Sequence, residues 1–164
     1  MKRLYFIGGP MGVGKTTVSR MLRDKLPDSV FLDGDWCWDM SPFQVTEETK
    51  KLVIDNICCL LGNFLRCTVF ENIIFCWVLH EQRIIDEILS RLDLTGCEVK
   101  NISLVCRQAA LAERLQKEIE AGKRSGDVLE RSLSRLPLYR VLRTVKLDVS
   151  DISPKEAAER ISRL

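Results

Sequence analysis

The chain has 164 residues, 46% of them hydrophobic and 29% charged, and a formal net charge of +2. This length and composition fit a single folded domain and exclude a disordered chain. The small net charge gives no reason to expect a nucleic-acid partner. The most hydrophobic stretch, residues 53–79, is interrupted by six charged or amide side chains that exclude a membrane span.

Short β-branched or aromatic runs alternate with longer helical patterns, which is typical of βα units around a parallel sheet. The predicted strands are residues 4–7, 30–32, 68–70, 102–106 and 145–147. Helices are predicted after the first strand, over residues 47–64 and 80–92, from 107 to 119 with Gly122 as its cap, before Pro137, and after a capping box from Ser153 to Glu156. We therefore expect an α/β fold of three layers, in which helices flank a five-stranded parallel sheet in one domain over residues 1–164.

A glycine-rich segment connects the first predicted strand to the first helix. Residues 9–16 read GPMGVGKT and match G-x-x-x-x-G-K-[ST] in full. Glycines let this backbone bend so that several N–H groups face one anion, and the following helix adds the positive end of its dipole. Lys15 can reach the β- and γ-phosphates of a nucleoside triphosphate, Thr16 can bind Mg²⁺, and Thr17 faces the α-phosphate. The predicted Mg-ATP site comprises Gly9, Met11, Gly12, Val13, Gly14, Lys15, Thr16 and Thr17.

Two carboxylates follow the second predicted strand, in the turn Asp33-Gly34-Asp35. Ligands of open α/β sheets bind at this edge, so both side chains are expected beside the phosphate loop. There a carboxylate can orient or deprotonate an acceptor hydroxyl, or hold a water on Mg²⁺. An Asp-Gly turn without a function is the alternative interpretation.

In its phosphate loop and acidic turn the sequence resembles the small-molecule and nucleotide kinases with the P-loop fold. It looks like the branch that contains shikimate kinase, gluconate kinase, adenylylsulfate kinase and chloramphenicol phosphotransferase. The resemblance implies that Asp33 works near Mg²⁺ and the attacking hydroxyl, and that Asp35 contacts the acceptor. The acceptor itself stays open. Shikimate kinases have a glycine-rich turn where this chain has residues 70–74, and adenylylsulfate kinases have Asn where Trp36 stands.

Three further residues are predicted to bind the acceptor. Glu71 follows the third predicted strand, at the position of a Walker B carboxylate, and would act through water on Mg²⁺ with Asn72 on the acceptor. A helix cap or surface turn is the alternative. Trp36, with Trp38 and Phe43 close by in sequence, is expected to wall the acceptor pocket, and packing in the core or lid is the alternative.

A late segment of the chain is basic. Residues 107–146 contain ten basic and five acidic residues, a local charge of +5. Kinases of the resembled group close a lid over the triphosphate, which implies a small helical lid over about residues 114–127. Arg114 and Arg124 are the candidates for an arginine on the transferring phosphate, because the planar guanidinium suits phosphate oxygens. Solvated helix faces are the alternative for most of these charges.

Cysteine usage points to a reducing environment. None of the seven cysteines shows C-x-x-C spacing, and we expect reduced thiols in a cytoplasmic protein. Several cysteines lie in apolar runs and are assigned to the core, as is Trp77. The single histidine, His80, excludes a multi-histidine metal centre.

The sequence thus predicts an ATP-dependent kinase that moves the γ-phosphate of Mg-ATP to a hydroxyl or phosphate of a small molecule or nucleotide. Its partner would be that acceptor, and the chain would be a monomer or homodimer. The alternative is a nucleotide-binding regulatory switch without an acceptor. A GTPase is disfavoured because no N-K-x-D segment occurs, and motor ATPases of the AAA or RecA kind are disfavoured because they usually need a larger domain.

Overall fold

The computed structural model describes residues 1–164 and contains one sheet of five parallel strands in the order β2-β3-β1-β4-β5. The strands are β1 (Lys2–Gly8), β2 (Ser29–Asp33), β3 (Asn72–Cys76), β4 (Cys97–Val105) and β5 (Val145–Asp148). The helices are α1 (Lys15–Lys25), α2 (Glu47–Arg66), α3 (Gln82–Ser90), α4 (Gln108–Glu120), α5 (Asp127–Arg135) and α6 (Pro154–Ser162). Two 3₁₀-helices span Gly34–Trp38 and Leu136–Val141. The predicted three-layer α/β fold is confirmed.

The core lies on both faces of the sheet, because successive side chains of each strand point to opposite sides. In β1, Leu4 and Phe6 pack with α2 and α3, whereas Tyr5 and Ile7 pack with α1, α4, α5 and α6. Strands buried on both faces require continuous apolar runs, which is why β1 was visible as such in the sequence. None of the helices is long and apolar enough to cross a membrane.

Capping chemistry sets the helix ends where the sequence predicted them. The Thr46 hydroxyl accepts a hydrogen bond from the Thr49 N–H at 3.1 Å and starts α2. The Ser153 hydroxyl accepts from the Glu156 N–H at 3.1 Å and starts α6. The Glu156 side chain does not close the predicted capping box; it pairs with Arg160 one turn later, at 2.7 Å.

The prediction of the third strand was wrong. Residues 68–70 lie in the connection between α2 and β3, and Val69 is 66% exposed. The strand is formed by the following run, in which Ile73, Ile74 and Phe75 are fully buried. Because β3 lies between β1 and β2, it needs apolar side chains on both faces, and only this later run supplies them.

Candidate active site

The predicted phosphate loop connects the carboxyl end of β1 to the N-terminus of α1. Gly14 caps α1 in the left-handed region at φ 102°, so that Lys15 is the first helical residue. Gly12 is also left-handed, at φ 84°, and a Cβ there would lie 2.5 Å from Cδ2 of Leu115 in α4. Only glycine fits this position, and its close contact brings α4 directly against the loop.

The Lys15 ammonium group lies within this loop and donates a hydrogen bond to the Pro10 carbonyl at 3.0 Å. Desolvation lowers its pKa, while the nearby carboxylates Asp35 and Asp33 act in the opposite direction. A cation that has lost much of its hydration at a helix N-terminus is suited to a polyanion such as a triphosphate.

Thr16 and Asp33 join the loop to β2. The Thr16 hydroxyl donates to the Asp33 carboxylate at 2.7 Å, and that carboxylate also accepts from the Asp35 N–H at 3.1 Å. Asp33 is only 5% exposed. The predicted pair of residues for Mg²⁺ is therefore in direct contact.

Cys76, at the carboxyl end of β3, lies beside the contact between Asp33 and Thr16. In the sheet register Cys76 stands opposite both Asp33 and Ile7. Burial, and then the charge of Asp33, raise the pKa of the thiol to about 12. The thiol is therefore protonated at neutral pH and is not a nucleophile.

Asp35 lies next to this pair, on the solvent side of the turn. Desolvation, and then the negative charge of Asp33, raise the pKa of its carboxyl group, and Lys15, Trp77 and Arg124 partly offset this. A carboxylate whose pKa is raised is a better proton acceptor than an ordinary aspartate.

These residues fit a magnesium ion bound together with a triphosphate. No group of three or more histidine, cysteine, aspartate or glutamate side chains could hold a metal ion by itself. Mg²⁺ is usually held by one or two protein oxygens together with phosphate oxygens and waters. Thr16 and Asp33 supply such a pair at the mouth of the phosphate loop.

The two predicted lid arginines occupy different places. Arg124, in the connection between α4 and α5, forms an ion pair with Glu118 and acts electrostatically on both Lys15 and Asp35. Arg114 lies in α4 and donates to the Val13 carbonyl at 3.2 Å and to the Val149 carbonyl at 2.6 Å. Arg114 therefore lies against the phosphate loop, and its catalytic role stays a prediction.

A cavity of about 320 Å³ opens on the other side of the loop from Asp33. Its walls come from the phosphate loop, α4 and the connection between β5 and α6. The residues that line it include Gly12, Thr17, Arg114, Glu118, Val149 and Ile152. Its mixed apolar and polar walls suit a nucleoside next to a triphosphate.

Glu71 and Asn72 lie far from this site, and their predicted roles on Mg²⁺ and acceptor are corrected. Both stand at the amino end of β3, where Asn72 faces Arg3 and Ser29 in the register. The Asn72 amide donates to the Pro27 carbonyl at 2.7 Å, and Glu71 is exposed. The misplaced strand caused this error, since the carboxyl ends of the strands form the ligand edge.

Trp36 follows Asp35 and is 52% exposed. Its ring meets Phe31 of β2 edge to face, with 5.4 Å between ring centroids. Trp38 packs instead against Phe43, at 5.6 Å. The role of Trp36 in acceptor binding stays a prediction.

The sequence analysis missed the residues at the carboxyl end of β3. Trp77 was assigned to the core and is indeed 8% exposed, but its ring also underlies the acidic turn, 2.5 Å from the position of a Cβ on Gly34. The Tyr139 hydroxyl donates to the Val78 carbonyl and fixes the chain just beyond Trp77. The apolar run from Ile73 to Leu79 was the signal that could have placed the strand end here.

The sequence matches the AAA_18 family model, described as an AAA domain, over residues 6–133. This is most of the chain, and the protein therefore belongs to that family. A search of curated protein sequences gives no significant match.

Solved structures similar in fold are mainly small-molecule kinases with the P-loop fold. The tunicamycin resistance protein of Deinococcus radiodurans has a TM-score of 0.68 and 19% identity, covering 99% of this chain and 95% of that one. A gluconokinase from Sinorhizobium meliloti 1021 has a TM-score of 0.65 and 18% identity, over 97% and 93% of the two chains. A shikimate kinase from Bacteroides thetaiotaomicron has a TM-score of 0.63 and 18% identity, over 99% and 97%. At these identities the likeness is one of fold.

Proposed function

We propose that the protein is an ATP-dependent phosphotransferase that moves the γ-phosphate of Mg-ATP to a hydroxyl or phosphate group of a small molecule or nucleotide. One observation carries the proposal. The phosphate loop, through Lys15 and Thr16, lies directly against two carboxylates, Asp33 and Asp35, at one edge of the sheet. A nucleotide switch needs the loop, but it has no use for a second carboxylate with a raised pKa.

Each side chain has a role in the transfer. The acceptor oxygen attacks the γ-phosphorus, the bond from that phosphorus to the β,γ-bridging oxygen breaks, and ADP leaves. Asp35 takes the proton of an acceptor hydroxyl. Lys15 and Arg124 place positive charge where negative charge spreads over the transferring group. Thr16 and Asp33 would hold Mg²⁺, whose charge neutralises the phosphate oxygens.

The nucleoside of ATP would occupy the cavity of about 320 Å³ beside Arg114. The structures of similar fold support a kinase, because their names describe a gluconokinase, a shikimate kinase and an APS kinase solved with AMPPNP and APS. Each acts on its own small molecule, and none of those substrates is assigned to this chain.

A second candidate is a nucleotide-dependent regulatory ATPase without an acceptor. The description of the matching family as an AAA domain favours it. The two candidates differ in what Asp35→Asn should do, since a kinase would lose transfer and keep ATP binding, whereas a switch has no acceptor proton to remove and would change little.

The test is ADP release by purified protein with Mg-ATP, measured for each member of a panel of nucleosides, nucleoside monophosphates, sugars, sugar acids and hydroxylated antibiotics, against a control without acceptor. We expect acceptor-dependent ADP with at least one class, abolished by Lys15→Ala and by Asp33→Asn. Slow ADP release that no acceptor changes and that survives Asp35→Asn would favour the regulatory ATPase.

A further inference from the structure

The phosphate loop is contacted from outside by side chains of two helices. Ser132 of α5 donates its hydroxyl to the Met11 carbonyl at 3.2 Å, and Arg114 of α4 donates to the Val13 carbonyl, also at 3.2 Å. Ser132 is only 1% exposed, although serine is a residue that usually lies at the surface. The proposed transfer gives Ser132 no role, so its buried position against the loop calls for another explanation.

These two hydrogen bonds fix the direction of two N–H groups of the loop. In a trans peptide the C=O and the N–H point in opposite directions. The Gly12 N–H therefore points away from Ser132, and the Gly14 N–H points away from Arg114. Neither N–H donates to a backbone carbonyl. Free N–H groups in a glycine-rich turn are what an anion binds.

The conformation at Gly12 shows what the Ser132 hydroxyl holds in place. The Val13 N–H donates to the Pro10 carbonyl at 3.3 Å and closes a four-residue turn. Gly12 is the third residue of this turn, and its φ of 84° is that of a type II turn. A type I turn has the central peptide, here the one between Met11 and Gly12, in the reverse orientation. The carbonyl that Ser132 binds belongs to this central peptide.

We propose that Ser132 is a positioning residue of the phosphate site, whose hydroxyl keeps the Gly12 N–H turned toward the triphosphate. The inference rests on triphosphate binding within the proposed function, and not on transfer to an acceptor. Without the hydroxyl the Met11 carbonyl loses its partner, and the central peptide is free to turn over. The loss falls on the phosphates that the loop binds rather than on the nucleoside.

Ser132→Ala tests the proposal, because it removes the hydroxyl and leaves the rest of the side chain. Calorimetric titration compares inorganic triphosphate, ADP and AMP as ligands of the parent and the variant. We expect binding of inorganic triphosphate and ADP to weaken by about fivefold, the value of one hydrogen bond, with little change for AMP. Unchanged affinity for inorganic triphosphate, or an equal loss for AMP, would overturn the proposal, since general loosening of α5 affects all three ligands.

The matched control is Ser134→Ala on the same helix. The Ser134 hydroxyl is exposed and donates to the Arg131 carbonyl at 2.9 Å, away from the loop. This variant should bind all three ligands as the parent does, and a loss equal to that in Ser132→Ala would overturn the proposal. If Ser132→Ala does not fold, Ser132→Thr and Ser132→Val replace it, because they have the same size and differ in the hydroxyl. The threonine variant should then bind inorganic triphosphate more tightly, and equal affinities would contradict a role of the hydroxyl.

The amide of Gly12 gives a spectroscopic test that a merely structural role would not affect. Gly12 is the only glycine that follows a methionine, so labelling with carbonyl-13C methionine and 15N glycine assigns its NMR signal. Inorganic triphosphate should move the Gly12 amide proton downfield in the parent and clearly less in Ser132→Ala, whereas Gly62 in α2 stays in place. Equal Gly12 shifts in both proteins would overturn the proposal. If the parent behaves as expected but transfers phosphate to no acceptor, the proposed function fails and the role of Ser132 is supported.

Discussion

Two neighbouring carboxylates with different surroundings define the chemistry at the scale of single residues. Asp33 is buried and accepts hydrogen bonds from Thr16 and from the backbone of Asp35. Asp35 faces solvent, has no such partners from the loop, and carries the raised pKa. The pair thus separates into a fixed acceptor of hydrogen bonds and a group that can exchange a proton.

We predict that Asp33→Asn lowers the pKa of Asp35. The negative charge of Asp33 raises that pKa, so its removal favours the ionised form and moves the titration to lower pH. The measurement is a carbon-13 NMR titration of the side-chain carboxyl groups. Asp39→Asn is the control, because Asp39 is not among the causes of the Asp35 shift. If the pKa of Asp35 stayed constant or rose in Asp33→Asn, the charge of Asp33 would not be a cause of the raised pKa.

Cys76 should be chemically silent in the folded protein. With a thiol pKa of about 12, only ~10⁻⁴ of the group is ionised near pH ~8, and the thiolate is the reactive form. We predict that iodoacetamide modifies the exposed Cys59 and leaves Cys76 untouched until the protein is unfolded. Mass spectrometry of peptides labelled before and after denaturation measures this. Equal labelling of the two residues in the native state would contradict the buried position of Cys76.

The element that depends most on one residue type is the 3₁₀-helix Gly34–Trp38. A Cβ on Gly34 would stand 2.5 Å from Cγ of Trp77, and both residues are buried. We predict that Gly34→Ala lowers the free energy of unfolding by ~1–3 kcal/mol, as overpacking does in a closed site. It should also reduce kcat, because the turn that holds Asp33 and Asp35 must shift.

Gly62 provides the matched control for this prediction. It lies inside α2, and the only atom near a Cβ there is the flexible end of Arg66, at 3.3 Å. Gly62→Ala should therefore stabilise the protein by ~0.5–1 kcal/mol through the lower backbone entropy of the unfolded chain. Urea unfolding of both variants measures the difference. A change of the same sign in the free energy of unfolding of both variants would show that Trp77 does not restrict the side chain at position 34.

The elements also show what sequence patterns can and cannot predict. The phosphate loop was predictable because local backbone geometry and the ligand both determine its residue types. The third strand was misplaced because residues 68–70 have the β-branched and aromatic composition of a strand, and only the two neighbours of β3 decide which run is buried. Trp77 and Arg114 act through contacts with segments distant in the chain, with Gly34 in one case and Val149 in the other. Such contacts leave no local pattern in the sequence.

At the scale of the whole molecule, the nucleotide site is assembled from segments far apart in the chain. The phosphate loop lies near residue 10, α4 near residue 114 and the connection after β5 near residue 149. α5 joins them, since the Ser132 hydroxyl donates to the Met11 carbonyl at 3.2 Å. A shift of α4 would therefore move both the phosphate loop and the cavity that Arg114 lines.

Arg114 is the side chain that makes this connection, and we predict that Arg114→Ala weakens ATP binding by about tenfold. Hydrogen bonds from a charged group contribute ~1.5–3 kcal/mol, and two carbonyls would lose their partner. The loss should appear in the KM for ATP, whereas Arg124→Ala should lower kcat, because Arg124 acts on Lys15 and Asp35.

Arg107→Ala is the control for Arg114→Ala, since the ion pair of Arg107 with Asp151 is exposed, at 60% and 72% for the two side chains. Such a pair contributes ~0–1 kcal/mol, so this variant should bind ATP nearly as the parent does. Calorimetric titration with a non-hydrolysable ATP analogue gives the affinities, and urea unfolding verifies that each variant is folded. If Arg107→Ala lost as much affinity as Arg114→Ala, the basic charge of the region would explain the loss, rather than the hydrogen bonds from Arg114 to the two carbonyls. Unchanged affinity in folded Arg114→Ala would show that these hydrogen bonds do not contribute to ATP binding.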